Sequence, residues 1–145
     1  MSVNGFMSTI LRSSLHGLLS NSTMLVTMTG RKTGTPLTLP VNYIQDGQQL
    51  FTISMRSRVW WRNLRGGANV ILRLRGQDVQ AVGKVIELQD DVARELGDFI
   101  QKRAPAYQKY LKIDLLPDES LSPQSLHKAA QERVFVIFDL SHGNN

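Results

Sequence analysis

Three apolar stretches between residues 24 and 54 are joined by connections too short for anything but antiparallel pairing. The first, ending at Met28, runs into Gly30-Arg31-Lys32-Thr33-Gly34, and an alternating segment follows with Leu37, Leu39, Val41 and Tyr43 on one face and Thr38, Pro40 and Asn42 on the other. Asp46-Gly47 then marks a hairpin into a third segment, 49–54. A parallel pair would need a crossover of about a dozen residues. Strands are therefore expected at 25–29, 37–44 and 49–54, antiparallel and consecutive.

The remaining elements fit the same architecture. A short helix is expected over Val59-Trp60-Trp61-Arg62-Asn63-Leu64, ended by Gly66-Gly67. A second hairpin covers 70–74 and 79–88, turning at Arg75-Gly76-Gln77. Asp90 or Asp91 is expected to cap a helix with the apolar stripe Val92, Leu96, Phe99 and Ile100, running to Pro105. Tyr107, Tyr110 and Leu111 continue at helical spacing beyond that proline. Ser122-Pro123 opens a helix to about Gln131, and 133–140 is a last, strongly apolar strand. Near the N-terminus, Phe6, Ile10, Leu11, Leu15, Leu18 and Leu19 recur at threes and fours, the stripe of an amphipathic helix expected to cross one end of a barrel. The fold class is α+β: a small antiparallel barrel of about six strands with an N-terminal helix and helices before the last strand, forming a single domain over residues 1–145. A doubly wound parallel sheet is disfavoured, because helices do not alternate with strands and no Gly-x-Gly-x-x-Gly follows any strand.

Composition narrows the chemistry. Hydrophobic residues make up 41% and charged residues 20%, which fits a globular chain. No apolar run approaches a membrane span of about 18 residues, and Arg12, His16 and two serines interrupt the stretch 10–19 that could pass for a secretory leader. A cytoplasmic location without stable membrane insertion is expected. Cysteine is absent, so thiol nucleophiles and thiolate-bound metals are excluded, and His16, His127 and His142 have no metal-ligand spacing. No metal site is expected. The net charge of +5, from 17 basic against 12 acidic residues, favours an anionic partner.

Two stretches could cradle that anion. In Gly30-Arg31-Lys32-Thr33-Gly34 the glycines let main-chain N–H groups converge on an oxyanion while Arg31 and Lys32 supply charge; a solvated basic hairpin is the competing account. The turn is no Walker motif, since it lacks the Gly-Lys-Ser/Thr order and opens a strand. In the second stretch, Ser54, Arg56, Arg58 and the pair Trp60-Trp61 combine phosphate-binding groups with aromatic surface, although one tryptophan at least is expected to plug the barrel mouth. Tyr107 and Tyr110 share a helix face, as core aromatics or as pocket hydroxyls. With no hydrolase elbow and no glycosidase carboxylate pair, an enzyme of this composition needs a cofactor for the hard chemistry.

Taken together, Gly30 to Gly34, Pro36, Pro40, Tyr43, Asp46-Gly47, Ser54 and Trp60-Trp61-Arg62-Asn63-Leu64 resemble the deazaflavin-dependent nitroreductase and quinone reductase family across residues 25–74. The resemblance implies a split β-barrel binding coenzyme F420, an 8-hydroxy-5-deazaflavin, with hydride passing to a quinone, nitroaromatic or activated alkene. It assigns Arg31, Lys32, Thr33 and Gly34 to the coenzyme's phosphate and acidic tail, with Ser54, Arg56 and Asn63 completing the cradle and Trp60 beside it. Tyr107 and Tyr110 fall where the family has pocket tyrosines that orient substrate or donate a proton. The loop between Ser54 and Trp60 is shorter here than in typical members, and residues 114–131 are an insertion that could cover the pocket or form a homodimer contact. Related barrels bind FMN, so an FMN reductase or flavin carrier is the nearest alternative. A single-stranded nucleic-acid-binding barrel is the alternative of another class. Confinement of Arg31, Lys32, Arg56, Arg58 and Arg62 to two loops favours one compact anion, and no nucleic-acid partner is expected.

Overall fold

The computed structural model describes residues 23–140. The helix expected over 6–19, together with His16 and His142, lies outside them. Seven strands, β1 (Thr23–Thr29), β2 (Pro36–Asn42), β3 (Ile44–Asp46), β4 (Gln49–Met55), β5 (Ala68–Leu74), β6 (Gln77–Ile86) and β7 (Arg133–Asp139), form one antiparallel sheet in the order β2-β1-β5-β6-β7-β4-β3. The two strands at the ends of that order are halves of one bent strand, interrupted only at Tyr43, so the sheet curls until its ends are joined through a single residue. Thr52 helps to close the seam by donating its hydroxyl to the carbonyl of Asn42 at 2.8 Å. The six strands expected from sequence become seven because the segment expected at 37–44 breaks there.

Alternation then sorts side chains into two cores. Val134, Val136 and Phe138 of β7 point into the barrel with Leu50 of β4, while Phe135 and Ile137 join Phe51 on the outer face. Every residue from 134 to 138 is buried, which is why this strand reads as a continuous apolar run. Burying one such side chain stabilises by about 1.5–3 kcal/mol. The outer core is covered by α1 (Gln89–Lys102), α2 (Tyr107–Tyr110) and α3 (Pro123–Glu132), whose Val92, Leu96, Phe99, Ile100 and Ala130 face the sheet. Trp60, Trp61 and Leu64 of the 3-10 helix η1 (Val59–Leu64) plug the barrel.

Two helix starts contrast. Ser122 accepts the N–H of Ser125 at 3.2 Å and Pro123 occupies the first turn of α3, as the sequence indicates. Asp90 and Asp91 do not cap α1. The cap is Leu88, without a side-chain bond, and the aspartates sit inside the first turn, where Asp91 holds Arg94 at 2.6 Å. There their charge still complements the helix dipole. The same helix stops at Lys102 rather than Pro105, with the N–H groups of Arg103 and Ala104 both turned back to the carbonyl of Phe99.

Candidate functional site

The strand registers bring the end of β1, the start of β2, the end of β4, the start of β5, the end of β6 and the start of β7 to one end of the barrel. That end carries Arg31, Lys32, Arg56, Arg58, Arg62, Arg65 and Arg133 against the carboxylates of Glu87 and Glu132. Charge alone does not identify a site, because most of these cations are engaged. Arg65 grips Glu87 through two bonds of 2.8 Å. That guanidinium, first by hydrogen bonding, holds the Glu87 carboxyl below the usual glutamate range, helped by the nearby charges of Arg56 and Arg62. Arg56 donates to the carbonyls of Ala130 and Arg133 at 2.9 Å each, closing the C-terminus of α3. Arg133 lies 3.5 Å from Glu132, and the Arg62 guanidinium lies over the Trp61 ring at 5.7 Å. Among the described residues the side chains of Lys32 and Arg58 have no hydrogen-bond or ion-pair partner.

The turn between β1 and β2 is built to present N–H groups. Gly30 donates to the carbonyl of Thr35 and Gly34 to that of Gly30, both at 2.8 Å, and the Thr33 and Thr35 hydroxyls meet at 2.7 Å. Gly34 has φ of +72°, a conformation that side chains resist, and a Cβ at Gly30 would come within 2.9 Å of the Thr33 hydroxyl oxygen. Arg31 N–H is directed inward to Asn63 Oδ1 at 2.9 Å, and the Arg31 guanidinium donates to the carbonyl of Arg62 at 3.2 Å. The next two N–H groups, those of Lys32 and Thr33, have no hydrogen-bond partner among the described residues. Two consecutive N–H groups without a partner, next to the Lys32 side chain, fit an oxyanion such as a phosphate.

The structure thus brings Arg31, Lys32, Thr33, Gly34 and Asn63 into one cluster. Ser54 and Trp60 lie beneath it, each 7% exposed, with the indole N–H bonded to the serine hydroxyl at 3.0 Å and that hydroxyl donating to the carbonyl of Met55. Arg56 turns away to α3. Arg58, two residues on, belongs to the same candidate stretch, although the family resemblance assigns only Arg56 to the cradle. Residue type cannot separate the two, because what engages Arg56 is a pair of carbonyls 74 and 77 positions away.

Tyr107 and Tyr110 belong to the helical layer, on the opposite face of the sheet from the barrel core. Tyr107 stands edge-on to Phe99 at 5.1 Å, and Tyr110 lies 5.5 Å from Tyr107. Burial, with a smaller push from Tyr110, raises the Tyr107 phenol above its ordinary value and keeps it protonated near neutral pH. Neither hydroxyl has a hydrogen-bond partner among the described residues, and Tyr110 is 69% exposed. A cleft of about 160 Å³ on this layer is lined by Leu111, Ala129, Glu132 and Arg133 and so reaches the start of β7.

A family model for F420H(2)-dependent quinone reductases matches residues 11–114. The chain belongs to that family. As an F420H(2)-dependent quinone reductase family member it is an oxidoreductase of the deazaflavin class, and the match includes the Gly30–Gly34 turn and η1. It stops where the 114–131 insertion begins, so α3 and β7 lie beyond it. No curated protein matches the sequence significantly. Among solved structures, the flavocytochrome Anf3 from Azotobacter vinelandii superposes with a TM-score of 0.50 at 9% identity, over 89% of this chain and 64% of that one. An F420-H2 dependent reductase gives 0.45 at 15% identity, over 82% and 96%. A putative pyridoxamine 5'-phosphate oxidase from Listeria innocua gives 0.48 at 10%, over 94% and 92%. At such identities the likeness to Anf3 is one of fold. Among the described residues no helix is long and apolar enough to cross a membrane.

Proposed function

We propose that this family member reduces a small organic acceptor, a quinone, nitroaromatic or activated alkene, with F420H2 bound at the cationic end of the barrel. The observation that carries the reading is the pair of consecutive N–H groups at Lys32 and Thr33 that have no partner among the described residues, in a turn at the same end of the barrel as Arg58. When bound, the coenzyme supplies the hydride. The chain's part is to hold and orient. Lys32, Arg58 and the two N–H groups would bind the phosphate, and Arg31 would add charge from a guanidinium already steadied on Arg62. Trp60, Trp61 and Leu64 keep water out of the barrel beneath. Tyr107 and Tyr110 stand on the other face of the sheet from that end, so this geometry gives them no contact with the acceptor.

The test is an absorbance and fluorescence titration of the purified protein with oxidised F420, with FMN and with single-stranded DNA, followed by steady-state reduction of a quinone by F420H2. Saturable F420 binding and quinone-dependent oxidation are expected. Binding of FMN without F420 would replace the deazaflavin reading with a flavin one, and DNA binding alone would discard both.

A further inference from the structure

Asn63 occupies the last turn of η1 with both ends of its amide engaged. Oδ1 accepts from Arg31 N–H at 2.9 Å, and Nδ2 donates to the carbonyl of Trp60 at 3.0 Å. The opposite amide orientation would set donor against donor and acceptor against acceptor, so its neighbours fix its direction. Trp60 is itself anchored through Ser54. A chain of bonds therefore runs from the end of β4 through η1 to the turn at residues 30–34.

We infer that Asn63 is a positioning residue for the coenzyme's phosphate rather than a ligand to it, an inference that rests on the functional reading above. By engaging one N–H of the turn, it fixes the register in which the next two, at Lys32 and Thr33, are left without a partner among the described residues. Its carbonyl oxygen could only repel an anion. One Nδ2 hydrogen remains beyond the Trp60 bond, and direct contact through that hydrogen is the alternative to defeat.

The first measurement is amide hydrogen exchange at Arg31 in the coenzyme-free protein. Asn63→Ala is expected to speed it by about three- to tenfold, the worth of one hydrogen bond, and Asn63→Asp, which keeps the acceptor, restores the slow rate. The second is the Kd for oxidised F420 across a salt series. Asn63→Ala raises it by about three- to tenfold and makes the dependence of log Kd on log salt shallower, because misaligned cations engage the anion less. A weaker Kd with an unchanged salt slope and unchanged Arg31 exchange would mean direct contact and overturn the assignment. Faster exchange with Kd and slope both unaltered would reduce Asn63 to a structural tie and overturn it as well. If the unaltered protein binds no F420, the functional reading fails separately. Inorganic pyrophosphate, titrated against the Lys32 and Thr33 amide resonances of the same variants, then decides the positioning role: weaker binding in Asn63→Ala supports it, and equal binding removes it.

Discussion

Trp60 donates its indole N–H to the hydroxyl of Ser54 at 3.0 Å, in a place where each residue is only 7% exposed. Two residues that the family resemblance groups with the coenzyme therefore serve the barrel first. A buried indole donor needs an acceptor, and a serine at the end of β4 supplies one without filling the space that the ring requires.

Ser54→Ala should cost about 1–3 kcal/mol of stability, because the indole N–H is left buried without a partner. Urea unfolding followed by tryptophan fluorescence reads this directly. A change under about 0.5 kcal/mol, the floor for a net hydrogen bond, would mean that water replaces the hydroxyl.

Replacing Arg31 and Lys32 together by Ala should weaken F420 binding by at least about 2 kcal/mol, close to thirtyfold, since bonds to charged groups are worth about 1.5–3 kcal/mol each. The melting temperature should scarcely move, as both residues are exposed and neither has an ion-pair partner among the described residues. Calorimetric titration giving an unaltered Kd would refute the phosphate assignment.

Changing Tyr107 and Tyr110 to Phe should leave both quinone turnover and F420 affinity nearly intact, because the pair packs with Phe99 on the other face of the sheet from the turn. Kd and steady-state rate are measured on the same double variant. Equal losses in both would move the tyrosines into the coenzyme site, and a loss of turnover alone would bring them to the acceptor.

Acid should loosen the end of the barrel at Glu87. Its carboxyl is held below the ordinary value of about 4.3, so the Arg65 pair contributes fully above that range and is lost as pH falls through the lower folded value. Arg65 and Glu87 are both partly exposed, at 45% and 30%, which keeps the contribution small. Comparing the pH dependence of urea midpoints for the unaltered protein and Glu87→Gln checks this. The two curves should converge as pH drops below 4, and a constant gap would show that the pair does not titrate.

What could be read from sequence was whatever is local. The turns at Gly34, Gly47 and Arg75-Gly76 all carry the positive φ that their residues suggest, and the alternation of β7 appears in both cores. The alternation of β2 is less faithful: Leu37 is 38% exposed while Thr38 is buried and shares a 2.8 Å contact with the Thr27 hydroxyl. The candidate site divided in the same way. The cluster at residues 30–34 is contiguous in sequence and can be proposed from it, whereas the diversion of Arg56 to α3 depends on a segment that the chain reaches only after the insertion, and no local pattern announces it.

The order of the sheet has a consequence for how the chain is made. β7 comes last in sequence among the seven described strands, yet it lies between β6 and β4 and contributes side chains to both cores. A ribosome that has delivered everything through residue 120 has exposed two bare strand edges and two unfilled cores, so folding must wait for the final segment to thread between strands already formed. Nascent chains stalled at that length should be cut readily by protease and become resistant only once residues 133–139 emerge.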